Sequence, residues 1–202
     1  MHDELNRLGY SFIEAGADQE IIKAVSQLSG NKLNLSRNVT ISSLMGKGDL
    51  ASSNEEFFYH TDATFQKIPP KYIALQLLNP CEGGEIRIFD SALVSKHLTN
   101  ESYFFGQGDQ KIVAKIQDKS PDCSLIFRYR RDYMISISNP KDSELNHFHE
   151  QLFNATQESS TSLGYIPLGK ILVINNWKYL HMRGSFTGER TIRRFWFDYA
   201  GQ

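Results

Sequence analysis

Short apolar runs, separated by Gly, Pro, Asn and Asp, recur along almost the whole chain, and this constrains the fold more than any other feature. Such runs read as strands. They fall at residues 9–13 (GYSFI), 71–79 (KYIALQLLN), 85–90 (EIRIFD), 111–116 (KIVAKI), 124–130 (SLIFRYR), 132–137 (DYMISI), 170–175 (KILVIN) and 191–197 (TIRRFWF). RNVTISSL (37–44) has room for another strand, while GKGDLASSN (46–54) reads as a mobile loop able to act as a lid. Two stretches carry helical spacing instead. Residues 17–30 place apolar side chains at 21, 22, 25 and 28 with Gly30 beyond the end, and residues 143–157 place them at 145, 148, 152 and 155. Many strands, few helices and no strand–helix alternation favour an antiparallel sandwich or barrel over a doubly wound sheet.

At 202 residues, 40% hydrophobic and 12% aromatic, the chain can bury a full core and has the length of one domain, expected to run over residues 1–202. Its 22 basic and 23 acidic residues leave a net charge of -1, without the basic face of a nucleic-acid binder. The first ten residues, MHDELNRLGY, lack an apolar export core, and the aliphatic run ILVI (171–174) is far too short to span a bilayer. A cytoplasmic protein with neither nucleic acid nor membrane as partner is expected. Cys81 and Cys123 form no CxxC pair and no disulfide framework; both are expected to be structural. The oligomeric state is not encoded in any of these features.

The chemistry starts at FFYHTDATF, residues 57–65. In a strand, His60 and Asp62 point to one side and Thr61 to the other, so two metal donors can sit together. Six histidines and eleven aspartates give roughly 0.3 such triplets by chance, so the pair needs support from elsewhere. Among the other histidines, His2 is terminal and His97 lies in a short polar-flanked helix or turn. His147 and His149 are about 200° apart on a helix and read as surface residues. His181 stands out, because an aliphatic strand turns at Asn175-Asn176 and resumes as a second strand carrying it between Leu180 and Met182. Two histidines and one carboxylate with open positions suit non-haem Fe(II), and zinc is chemically compatible as well. In GERTIRRFWF (188–197), Arg190, Ile192, Arg194 and Trp196 share one strand face, and two guanidiniums among aromatics call for an anion unless they merely sit on a solvated edge.

FFYHTDATF, PPKYIALQLLNPCEGGEIRIFDS, NNWKYLHMRGSF and RTIRRFWF, in that order over residues 57–197, resemble the Fe(II)/2-oxoglutarate dioxygenases of the taurine dioxygenase and clavaminate synthase-like superfamily. The resemblance implies a distorted double-stranded β-helix, or jelly roll. It implies His60, Asp62 and His181 as the catalytic iron triad, with Arg190 on the distal carboxylate of 2-oxoglutarate and Arg194 as the second arginine of an Arg-x-x-x-Arg pattern. Gly83 and Gly84 match a Gly-Gly that precedes a strand lining the cosubstrate pocket. Ile86 stands where the family commonly has a Thr that contacts the cosubstrate. The implied cofactors are Fe(II), 2-oxoglutarate and O2. The implied reaction hydroxylates, desaturates or cyclises a small, amino-acid-like metabolite and releases succinate and CO2. Phe58, Tyr59, Gln76, Trp177 and Arg183 flank the motifs and are candidates to contact substrate; Arg128 and Arg130 are candidates for a substrate carboxylate. Two other readings remain at this point: a non-catalytic jelly-roll module binding a small carboxylate or a redox-silent metal, and a zinc-dependent hydrolase.

Overall fold

The computed structural model describes residues 4–43, 51–98, 100–137 and 143–199. In chain order come α1 (Glu4–Leu8), β1 (Tyr10–Glu14), α2 (Asp18–Ser29), β2 (Leu33–Ser42) and β3 (Phe57–His60). Strands β4 (Tyr72–Leu77), β5 (Glu82–Gly83), β6 (Ile86–Asp90), β7 (Ser102–Phe105), β8 (Ile112–Lys115), β9 (Gln117–Lys119), β10 (Leu125–Phe127) and β11 (Met134–Ser136) lead to α3 (Ser143–Ser159). After it come β12 (Thr161–Gly164), β13 (Lys170–Asn175), β14 (Tyr179–Arg183), β15 (Phe186–Thr187) and β16 (Thr191–Tyr199). The fold is mostly β, as the alternating runs require.

Two antiparallel sheets organise the molecule. The larger has the order β1-β13-β4-β16-β2 and the smaller β12-β6-β14-β3. Side-chain alternation explains why β4 and β13 read as continuous apolar runs, since both of their faces are covered. Tyr72, Ala74, Ile171, Val173, Phe195 and Phe197 pack against Leu5, Ile21 and Val25 of the two N-terminal helices. Their alternates Ile73, Leu75, Leu172, Ile174, Ile192 and Trp196 turn inward and meet Ile86, Ile88 and Tyr179 of the smaller sheet. The far side of the smaller sheet contributes Phe89 and Leu180 to a third cluster with Leu145, Phe148 and Leu152 of α3. Helix α2 keeps its place partly through Asp18, which accepts from Arg193 at 2.6 Å, and it ends where Gly30 adopts φ 68.

Three expectations are corrected. The run 124–130 is strand only as far as Phe127: the Arg128 N–H donates to Ile116 O, and its buried guanidinium donates to Gln66 O and Lys67 O, at 2.8 and 2.6 Å. Arg128 therefore ties down the segment after the His60/Asp62 motif, and Arg130 pairs with Asp132 and stacks on Tyr133. Neither lines the pocket described below. His149 is buried rather than superficial, because it joins Leu145, Phe148 and Leu152 on the covered face of α3 and bonds the Tyr129 hydroxyl at 2.9 Å. Residues 46–50 of the expected lid lie outside the described residues, whereas Ser53 and Asn54 are held by hydrogen bonds from Arg183 and Phe186.

Candidate metal centre

His60 closes β3 and His181 lies in the middle of β14, directly opposite it in the antiparallel ladder. The two rings are 4.2 Å apart. Asp62 follows two residues beyond β3, while Thr61 turns the other way and is bound through its backbone and hydroxyl to Tyr129. Imidazole nitrogens of both histidines and a carboxylate oxygen of Asp62 lie within 4.8 Å of one another, and all three side chains are buried. Asn176, in the turn between β13 and β14, fixes the aspartate segment: its carbonyl accepts from Asp62 N at 2.7 Å and its amide donates to Asp62 O and Pro70 O.

Hydrogen bonds assign each donor atom its direction. Phe58 O can only accept, so the 2.7 Å contact puts the proton of His60 on Nδ1 and aims the Nε2 lone pair at Asp62, 3.6 Å away. His181 Nε2 stands 3.9 Å from Asp62 Oδ1. Burial, with the Arg194 charge nearby, lowers the His181 pKa to about 3 against the pull of Asp62, so the ring is neutral and its lone pair available at physiological pH. Burial alone would raise the Asp62 pKa, but the neighbouring Arg194 guanidinium acts against it, and the carboxyl is held well below the usual range. One carboxylate oxygen accepts from Trp196 Nε1 at 2.9 Å and the other from Arg194 at 3.3 Å. An ionised carboxylate and two convergent imidazole nitrogens form a donor set that fits a divalent first-row metal.

The triad opens into a small pocket of about 40 Å³ between the two sheets. The smaller sheet lines it with Phe57, Ile86 and Arg183, the larger with Ile41, Leu75, Ile192 and Arg194, and Arg190 joins from the residue before β16. The Arg190 backbone is locked to Ser43 in both directions, its side chain is buried beside the Phe186 ring, and burial lowers its pKa. Gly83 and Gly84 make room for this corner. Both have positive φ, 84 and 80, and a Cβ on Gly83 would come within 2.6 Å of Ser185 O.

No family model matches the chain. No curated protein matches it either. Solved structures do match. A mutant of the non-heme iron oxygenase OrfP in complex with (3S)-hydroxy-L-Arg aligns with a TM-score of 0.67 at 13% identity, over 96% of this chain and 79% of that one. The chain has the fold of the iron- and α-ketoglutarate-dependent oxygenases. PvcB, an Fe, alpha-ketoglutarate dependent oxygenase from an isonitrile synthetic pathway, aligns at 0.63 and 14% identity over 94% of this chain and 76% of its own. Asparagine oxygenase in complex with Fe(II), 2S,3S-3-hydroxyasparagine and succinate aligns at 0.63 and 10% identity, covering 93% and 73%.

Within this oxygenase fold, His60, Asp62, His181, Ile86, Arg183, Arg190 and Arg194 come together in one pocket. Arg194 reaches Asp62 itself rather than standing apart from the triad. Tyr59, Gln76, Trp177 and Phe58 are not among the described lining residues. Tyr59 points away from His60 and packs on Phe89. Gln76 has the strand parity of Tyr72 and Ala74, which face the helices. Trp177 is buried with its Nε1 donating to Pro69 O, and it lines a separate cavity. Phe58 is 57% exposed. Phe57, which strict alternation sets opposite His60, lies stacked on it at 3.8 Å. The cause is a register shift: His181 pairs with His60 and Arg183 with Phe57, so three residues of β3 span two of β14. The sequence FFYH carries no mark of that bulge.

Proposed function

We propose that the protein is a non-haem oxygenase that uses Fe(II), 2-oxoglutarate and O2 to oxidise a small, amino-acid-like molecule, releasing succinate and CO2. The observation that carries this reading is the convergence of two imidazole nitrogens and an ionised carboxylate in a pocket that also holds a buried arginine, within an oxygenase fold. In this reading the chain is one jelly-roll domain over residues 1–202, a double-stranded β-helix built from the two sheets, and it works in the cytoplasm, where two free cysteines suit a reducing environment.

When bound, the metal with its cosubstrate supplies the oxidising chemistry. The residues do the rest. His60, Asp62 and His181 would hold the metal through their convergent imidazole nitrogens and carboxylate oxygen. Trp196 and Arg194 keep Asp62 ionised and oriented, and the Phe58 carbonyl keeps the proton of His60 off the metal-facing nitrogen. Arg190 presents a planar fork for the distal carboxylate of 2-oxoglutarate, a match that a lysine would not reproduce. Ile86 gives that pocket an apolar wall where a hydroxyl would donate a hydrogen bond. Ile41, Phe57, Leu75 and Ile192 exclude water around the reacting centre.

Succinate release from 2-oxoglutarate tests the proposal. It should require Fe(II) in the wild type and disappear in Asp62→Ala while circular dichroism of the variant stays native. Release that persists without iron, or unchanged in the variant, would refute it.

A further inference from the structure

A second cavity, separate from the metal centre, has a volume of about 410 Å³, against about 40 Å³ for the pocket at the triad. That volume is within the range that holds a small organic ligand. The cavity lies where β6 and β13 end and β4 and β14 begin, and β9 and β10 also line it. The chemistry proposed for the metal centre makes no use of it.

Its lining is rich in donors. Lys71 and Lys178 bring two ammoniums, Ser91 and Ser124 hydroxyls, and Gln117 a side-chain amide. Asn175 is buried, and its side-chain oxygen accepts from Trp177 N at 3.2 Å, which leaves its amide to donate. No carboxylate is among the described lining residues. From outside the lining, Asp90 pairs with Lys178 at 3.4 Å and Asp122 acts on Lys71. The Lys178 pair is partly exposed, and pairs of that kind contribute little, so a doubly charged ligand competes for the ammonium. Lys71 is half-buried, its ammonium 5.0 Å from the centre of the Trp177 ring, and burial lowers its pKa against the pull of Asp122. An anion placed here offsets the cost of burying that charge. Trp177 and Phe127 are buried and Leu125 is exposed, so an apolar wall runs from the interior of the cavity to solvent.

We propose that this cavity is a second binding site, for a small organic phosphate whose phosphoryl group meets Lys71, Lys178 and the hydroxyls while its organic body lies on the apolar wall. Compact ammoniums and hydroxyls surround a tetrahedral phosphate, whereas the planar fork that suits a carboxylate belongs to arginine.

The test is isothermal titration calorimetry of the full chain without added metal, so that the probe cannot ligate iron, with phenyl phosphate, benzyl alcohol and citrate. Phenyl phosphate should bind one-to-one and at least tenfold more tightly than the other two. It should change the fluorescence of the wild type and of Trp196→Phe but not of Trp177→Phe, and its affinity should fall at least tenfold in the double variant Lys71→Gln/Lys178→Gln. Benzyl alcohol binding as tightly as phenyl phosphate would overturn an anion site, and citrate binding as tightly would overturn the phosphate class. An undiminished affinity in the folded double variant would overturn the assignment to this cavity. If the double variant does not fold, Lys178→Gln alone, at a partly exposed side chain, should still cost at least threefold, and no loss there would overturn the proposal. With neither iron nor 2-oxoglutarate present, the outcome is independent of the oxygenase reading.

Discussion

Trp196 decides which face of Asp62 is offered to a metal. Its indole N–H holds one carboxylate oxygen at 2.9 Å and leaves the other toward the imidazoles, so Trp196→Phe should keep the fold and weaken Fe(II) or Co(II) binding about 10- to 100-fold in a calorimetric titration. Asn176→Ala acts on the same carboxylate from behind. It strips buried partners from Asp62 N, Asp62 O and Pro70 O, and should lower unfolding free energy by about 2–4 kcal/mol in urea denaturation, whether or not metal is present. His149 makes a separate statement about pH. Burial, then the nearby Arg131 charge, lowers its pKa to about 4, below the unfolded value, so only the unfolded chain binds this proton in between. Its contribution to stability is complete above pH 6.5 and is lost as pH falls from there toward 4, by up to about 3 kcal/mol. Denaturation midpoints measured across that range should fall in the wild type and flatten in His149→Gln. The burial of His149 was legible in the helix spacing, since it stands four residues after Leu145 and three before Leu152 on the apolar stripe, and only the polar character of a histidine argued for the surface.

Among the elements, what was legible followed period and punctuation. The runs at 170–175 and 191–197 became β13 and β16, and parity along β16 correctly grouped Ile192, Arg194 and Trp196 on the inner face. Helix α2 lies within residues 17–30, with Gly30 as its stop. What parity missed has local causes. The bulge opposite β14 swings Phe57 rather than Phe58 into the pocket, and Arg128, whose N–H still bonds Ile116 O, turns its side chain to carbonyls in the 66–67 segment. Candidates chosen only for flanking the motifs, Tyr59, Gln76 and Trp177, fell on the opposite faces of their elements or in another cavity, since proximity in sequence ignores which way a strand presents a side chain. The β5–β15 corner yields a prediction at this scale. Gly83→Ala demands φ 84 of a residue with a Cβ and drives that atom toward Ser185 O, so it should cost about 1–2 kcal/mol and displace the neighbouring Arg190 corner, weakening 2-oxoglutarate more than metal.

At the scale of the whole molecule, the site is a product of two sheets closing on each other. The smaller sheet brings His60, His181 and Arg183, the larger brings Arg194 and Trp196, and Asp62 bridges them from the end of β3. No single element contains enough of the site to work alone, which is why the four motifs were informative together and weak apart. The fold was legible because strand number and the absence of strand–helix alternation restrict the choices sharply, and the lining arginines Arg183, Arg190 and Arg194 were legible from the motifs that carry or flank them. Among the described residues no helix is long and apolar enough to cross a membrane. The central claim is that the triad and Arg190 form one working chelate site for Fe(II) and 2-oxoglutarate. Anaerobic titration of the apoprotein with Fe(II) and then 2-oxoglutarate, in wild type and Arg190→Ala, tests it most directly. The account predicts a visible charge-transfer band in the wild type and at least a tenfold loss of 2-oxoglutarate affinity in the variant, whereas iron binding without any band would contradict it.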